Sequence, residues 1–320
     1  MRNARGVFMR MLIFVALVTF LPTAAFAENP EWAYPGPPPA NLPMPDPSKV
    51  VKVPGSDKEY RQTDIGNPFA PADWFPTEHA LMPAVVANGV RPDVPACSLC
   101  HLPTGDGHPE SASIAGLSAN YIVRQLKEFK DGNRTGSRAA VMVTIAKALS
   151  DADAHAAADY FAARKQAPAF FRVVEGAAAP KSYVGAGSMR FAVKDGGTEP
   201  IGDRIIELPQ NEREARLRDP HFGFVAHVPP GILMKGKALA ETGGGGKTLA
   251  CVTCHGPGLK GLGEVPGIAN RSAIYLYRQL NDMKTGAHKG SSVALMKQVV
   301  AKLDPDDMLS LAAYAVSLEP

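Results

Sequence analysis

Residues 96–103 read "ACSLCHLP" and residues 250–257 read "ACVTCHGP". Each stretch holds a Cys-x-x-Cys-His, and together they contain all four cysteines of the 320-residue chain. Closely spaced cysteines serve three chemistries: a disulfide or redox dithiol, half of a zinc site, or covalent attachment of haem c. Zinc is disfavoured because no other cysteine is present to supply thiolate ligands. A redox dithiol is expected beside a strand–helix thioredoxin pattern, and none surrounds either motif. Haem attachment accounts for every residue. The cysteines become thioethers on the two vinyl groups, and the adjacent histidine lies under the iron as proximal ligand. Two haem c groups are therefore expected, one on Cys97, Cys100 and His101, the other on Cys251, Cys254 and His255.

The motifs lie 154 residues apart, and the same offset holds around them without a gap. Gly89 pairs with Gly243, Ile114-Ala115 with Ile268-Ala269, and Tyr121 with Tyr275. Arg124-Gln125-Leu126 pairs with Arg278-Gln279-Leu280, Met142 with Met296, and Tyr160 with Tyr314. An internal repeat of this length sets the architecture. Two copies of one domain are expected, at 76–165 and 230–320. Short helices are expected at 79–88 and 232–242, each stopped by a glycine. Residues 118–130 carry a helical stripe of Tyr121, Ile122, Leu126 and Phe129, with Ser118 as N-cap. Residues 132–140 read as loop. Residues 151–164, capped by Ser150, form a last helix, matched by 305–318 in the second copy.

The sixth iron ligand decides the chemistry. Met142 is the only methionine of the first copy after His101, and Met296 alone occupies the matching position in the second. Each follows its histidine by 41 residues. A lone methionine beside a helix is usually core filler, but a copied one points to iron ligation. His79, His108 and His155 match leucines in the second copy, so none is copied. His/Met ligation fills both axial positions and leaves the iron to pass one electron at a time. Around the site, the carbonyls of Pro103 and Pro257 are expected to accept the histidine Nδ1–H. Tyr121, Arg124 and Gln125, with Tyr275, Arg278 and Gln279, are expected at the haem propionates; core tyrosines and solvated arginines are the alternative.

The remaining segments complete the map. Residues 1–27 combine Arg2, Arg5 and Arg10 with the apolar run "MLIFVALVTFL" and Ala25-Phe26-Ala27. That pattern is a secretory signal peptide, and the run is shorter than the about 20 residues of a membrane span. The chain has 34 basic and 31 acidic residues. Losing three arginines makes the mature charge formally zero, so no nucleic-acid partner is indicated. Residues 28–75 read as a proline-rich strap, extended or polyproline, with a disordered tail as the alternative. Residues 166–229 read as an irregular segment with one or two short strands, too long and too apolar to be a free linker. The expected fold class is all-α: two tandem copies of one haem-binding helical domain with an irregular interdomain segment.

These residues resemble two class I cytochrome c domains in tandem, the arrangement of the diheme cytochromes c4. The likeness is carried by "CSLCH" and "CVTCHG", by "YIVRQLKEFKDGNR" and "YLYRQLNDMKTGAH", and by Met142 and Met296 ahead of "LSDADAHAAADYFA" and "LDPDDMLSLAAYAV". It implies small all-α domains packed about a pseudo-two-fold axis with the haems close. It also implies Cys97, Cys100, His101 and Met142 for one haem, and Cys251, Cys254, His255 and Met296 for the other. The long interdomain segment and the strap depart from that family. The expected function is single-electron transfer in the periplasm, touching membranes only through partners. Expected donors are a dehydrogenase or a quinol–cytochrome c reductase, and the expected acceptor is a terminal oxidase. The alternatives are a haem subunit of an exported dehydrogenase complex and a diheme peroxidase-type enzyme. A thiosulfate-oxidising diheme enzyme typically spends a cysteine as axial ligand, and here all four are committed.

Overall fold

The computed structural model describes residues 29–42, 44–136 and 139–320. The expected signal peptide lies outside the described residues. The strap supplies the pair β1 (Val50–Val51) and β2 (Tyr60–Arg61). The first repeat comprises α1 (Ala84–Ala87), α2 (Cys97–His101), α3 (Ala119–Lys130), α4 (Ala139–Ala148) and α5 (Asp151–Ala162). The interdomain segment contains β3 (Phe171–Glu175), β4 (Ala178–Pro180), β5 (Ser182–Val184), β6 (Arg190–Ala192), β7 (Thr198–Pro200), β8 (Ile206–Pro209), α6 (Glu212–Arg216) and β9 (Phe224–Val228). The second repeat comprises α7 (Ile232–Gly246), α8 (Val252–His255), α9 (Ala273–Thr285), α10 (Ala294–Val300) and α11 (Pro305–Val316).

The fold is therefore mixed, which corrects the all-α expectation. Strand β3 runs parallel to β9 and β8 runs antiparallel to β9, so β9 is the centre of a three-stranded sheet. Along β9, Phe224, Ala226 and Val228 face inward by the strand period of two. They join Phe170, Phe171, Ile205, Leu309 and Val316 in one core. Two further antiparallel pairs, β4–β7 and β5–β6, lie outside that sheet. The glycines and prolines that made this segment read as loop sit between short strands. The partner of β3 lies some fifty residues downstream, a pairing that no local pattern reveals.

Helix termini obey the repeat. The Ser118 side chain accepts from the Tyr121 N–H at 3.1 Å, and Ser272 accepts from Tyr275 at 3.1 Å. Ser150 accepts from Asp153 at 3.1 Å, and its counterpart Asp304 accepts from Asp307 at 2.8 Å in a capping box. The helix expected over 79–88 is reduced to α1, because Pro83 directly before it is extended, with φ -56° and ψ 152°, and starts the helix at Ala84. Helix α7 keeps helical dihedrals to Thr242, and Gly243, Gly244 and Gly245 then turn left-handed at φ 71°, 62° and 71°, so the glycine stop falls where the sequence placed it. In the second repeat α7 crosses α11 closely at Gly236, where any Cβ would strike the Ser310 carbonyl.

The insert and the strap bind both repeats. Buried Glu207 of β8 accepts from Ser272 Oγ at 2.6 Å and from the N–H groups of Ala273 and Ile274 at 3.0 and 3.2 Å, closing the start of α9. Trp74, 2% exposed, donates Nε1–H to the Leu217 carbonyl at 2.7 Å. Trp32 stacks obliquely on Tyr277, 4.6 Å between ring centres. The proline-rich start is thus pinned along α9.

The repeats also meet each other directly. The loops before α4 and α10 pair antiparallel at Arg134 and His288. Thr135 donates to the Ala287 carbonyl and Lys289 to that of Asn133, each at 2.8 Å. The 154-residue offset exchanges these two bonds, so the contact has a local pseudo-two-fold. The same relation links Gly136, which lies against the Asp282 carboxylate, to Gly290, which lies against that of Glu128.

Candidate functional site

Each Cys-x-x-Cys-His forms a short helix that ends with the histidine; α2 opens with Cys97, and Cys251 is the N-cap of α8. This single turn presents both sulfurs and the imidazole of each motif from one short segment. The ring of His101 is held by Nδ1 against the Ala112 carbonyl at 2.8 Å, and that of His255 against the Pro266 carbonyl at 2.8 Å. Both acceptors lie eleven residues after their histidine, so the repeat preserves them. The expectation for Pro103 and Pro257 is corrected. The Pro103 carbonyl instead accepts from Tyr160 Oη at 2.7 Å, because the chain after His101 turns its carbonyl away from the ring and towards α5.

An Nδ1–H tied to a carbonyl fixes the tautomer and frees Nε2 for a metal. Burial lowers both histidine pKa values, so each ring is the neutral imidazole that iron requires. Burial also pushes the Cys97 thiol up to about 12 and the Cys251 thiol up to about 11. Neither is the low-pKa thiolate of a redox dithiol. This donor set fits haem c: two sulfurs destined to become neutral thioethers, and one oriented neutral imidazole. Haem c supplies a one-electron couple there.

Met142 lies half-buried on α4 against Phe129 and Ala146, and Met296 lies half-buried on α10 against the second-repeat core. The sequence reading assigned neither helix, although both carry the copied methionine.

The four aromatic and basic candidates gather where the repeats meet. Tyr121 and Tyr275 interact electrostatically, and Arg134 reaches both. Arg134 donates to Gln125 Oε1 at 2.8 Å, to Tyr275 Oη at 2.8 Å and to Gln279 Oε1 at 2.6 Å. Arg124 lies near the Tyr121 ring and reaches Glu264 of the other repeat, with its buried Nε lacking a partner among the described residues. Arg278, 3% exposed, forms a two-pronged ion pair with Glu110 at 3.0 and 2.9 Å and also donates to the Ala33 carbonyl. Arg278 is thus a clamp between repeats and strap. Arg134 escaped the sequence reading because its counterpart is His288. Asn133 and Thr135 on either side of it are not copied either, so the repeat offset gave no signal for Arg134.

A family model for cytochrome c matches residues 233–319. Cytochrome c-554(548) of Halomonas halodenitrificans is 36% identical over 70 residues, 22% of this chain and 84% of that protein. The thiosulfate dehydrogenase electron acceptor of Thiomonas intermedia is 28% identical over 226 residues, 70% of this chain and 78% of that protein. Cytochrome c4 of Pseudomonas aeruginosa is 23% identical over 230 residues, 69% of this chain and 83% of that protein.

Proposed function

Because the chain belongs to the cytochrome c family and is a diheme electron-transfer cytochrome with covalently bound haem c, we propose that it is a periplasmic carrier taking electrons singly from a dehydrogenase. One haem is assigned to Cys97, Cys100, His101 and Met142, the other to Cys251, Cys254, His255 and Met296. The observation that carries this assignment is the matched pair of histidine contacts, His101 to Ala112 and His255 to Pro266. A repeat that copies both the ligand and the group orienting it has copied a working metal site.

A dehydrogenase as donor is supported by the relative named for accepting electrons from thiosulfate dehydrogenase. Among the described residues no helix is long and apolar enough to cross a membrane, and export rests on the pattern of residues 1–27. With methionine on both irons neither offers a substrate position, so the chain is a carrier and not an enzyme. The test is the visible spectrum of the ferric and ferrous protein, with and without carbon monoxide. The expected result is the long-wavelength methionine–iron band for two haems and no response to carbon monoxide. A high-spin or carbon monoxide-binding haem would refute the closed-site reading and revive the peroxidase-type alternative.

A further inference from the structure

Helix α6 of the insert ends in an αL turn. The Arg218 N–H donates to the Ala215 carbonyl at 3.1 Å and the Asp219 N–H to the Glu214 carbonyl at 3.0 Å. This closing pattern places residue 218 at a left-handed position, usually held by glycine. Arginine occupies it with φ at 61°. The turn is anchored one residue earlier, where the Leu217 carbonyl accepts from Trp74 of the strap.

The side chain runs into the first repeat. Arg218 shares a cleft with Trp74, Phe75 and His79 and with Pro103 and Thr104, the second and third residues after His101. Its guanidinium lies within electrostatic reach of Cys100. Its Nη2 is buried and has no hydrogen-bond partner among the described residues. Asp73 and Glu78 are engaged elsewhere: Asp73 meets His79 at 3.1 Å and Glu78 meets His221 at 2.8 Å. Asp219 accepts from the His221 N–H at 2.9 Å through Oδ1, its buried Oδ2 has no partner among the described residues, and no hydrogen bond joins it to Arg218. Arg218 is half-buried overall, but a buried N–H left without an acceptor is costly, so a protein that keeps one has a partner for it. The group that belongs beside Cys100 is the first-repeat haem, and a planar guanidinium packs well on an extended π-system. The second repeat has no such cover: Cys254 is exposed, whereas Cys100 is half-buried.

We propose that Arg218 is a positioning residue of the insert that holds a permanent positive charge at the thioether edge of the first-repeat haem and raises that haem's reduction potential. The proposal rests on the assignment of a haem to Cys97 and Cys100. A fixed cation destabilises ferric more than ferrous iron, and water screens it little in a buried cleft.

The test is a spectroscopic redox titration of the full-length protein, alongside Arg218→Gly and Arg218→Lys, with haems counted by alkaline pyridine. Glycine suits the left-handed turn, so Arg218→Gly removes charge without straining the backbone. At the poise that half-reduces the first-repeat haem of the wild type, its reduced-to-oxidised ratio is expected to fall about tenfold in Arg218→Gly, a shift of about 59 mV for a one-electron couple. The moving wave is the one that Met142→Ala also displaces, and the second wave stays in place. Arg218→Lys keeps the wild-type potential. Two bound haems with both waves unmoved in Arg218→Gly overturn the proposal, as does Arg218→Lys shifting as far as Arg218→Gly. A wild-type count of one haem defeats the underlying haem assignment and the proposal with it.

Discussion

The two repeats start from matched sequence and finish in different surroundings. In the second, the insert becomes part of the core: Phe170, Phe171 and Phe224 lie among Leu309, Leu311 and Val316. In the first, Val85, Val86, Leu117, Ile122 and Phe161 form a core separate from the insert. The insert and strap reach that repeat at its rim, through Arg218 and Trp74. One segment therefore builds the interior of one copy and covers the outside of the other. Tandem copies diverge first where a third element touches them, and the haem edges at Cys100 and Cys254 differ accordingly.

The comparison breaks most completely at the cysteines. Cys97→Ser with Cys100→Ser is expected to remove covalent haem from the first repeat alone, and Cys251→Ser with Cys254→Ser from the second alone. In each case, haem retained by the denatured protein halves. Loss of both haems from either variant would show that the copies mature together. Next come the methionines. Met142→Ala or Met296→Ala is expected to open one haem to carbon monoxide and lower its potential by roughly 0.1 V, within the about 0.8 V that axial ligands span. An unchanged carbon monoxide spectrum in either variant removes that methionine from the site.

Stability separates the repeats further. Gly236→Ala drives a Cβ into the Ser310 backbone and is expected to cost about 3 kcal/mol. Its counterpart Met82 is only half-buried, and Met82→Ala is expected to cost about 1 kcal/mol. Equal shifts in urea midpoint would mean that the helix crossing is not peculiar to the second repeat.

A subtler difference lies on the pseudo-two-fold. His288 is buried, with both ring nitrogens unpartnered among the described residues, and burial, Arg134 and Lys297 push its pKa down to about 3. Between about pH 3 and 6.5 the unfolded chain binds this proton and the folded chain does not, so stability falls as pH falls through that window. His288→Gln is expected to flatten that limb of the urea midpoint against pH. Arg134, charged throughout, contributes no such limb, and an unaltered pH profile in His288→Gln would place the titration elsewhere. The smallest effect is expected at Glu264, whose half-exposed carboxylate lies 3.9 Å from Arg124 across the repeats. Glu264→Ala is expected to change stability by under about 1 kcal/mol, measured by thermal unfolding.

Local features of the site were legible in the sequence, and non-local ones were not. The Cys-x-x-Cys-His turns and the caps at Ser118 and Ser150 depend on residues within a few positions of each other. The carbonyls of Ala112 and Pro266 did not announce themselves, because any residue has a carbonyl and only the loop path selects one. Arg218 was invisible for a similar reason: nothing in "REARLRDP" tells which repeat its side chain enters. The sheet eluded sequence reading because β3 and β9 pair across the whole insert, and strand partners are set by the tertiary fold.

The paired loops around Arg134 and His288 have one more consequence. A contact in which each half offers the same two groups is the kind a domain makes with its own copy. Free copies joined by so small a surface would separate on dilution. Linked in one chain, each loop meets the other at an effective concentration set by the tether rather than by expression level. The spacing of the two redox centres is then as constant in a sparse compartment as in a crowded one.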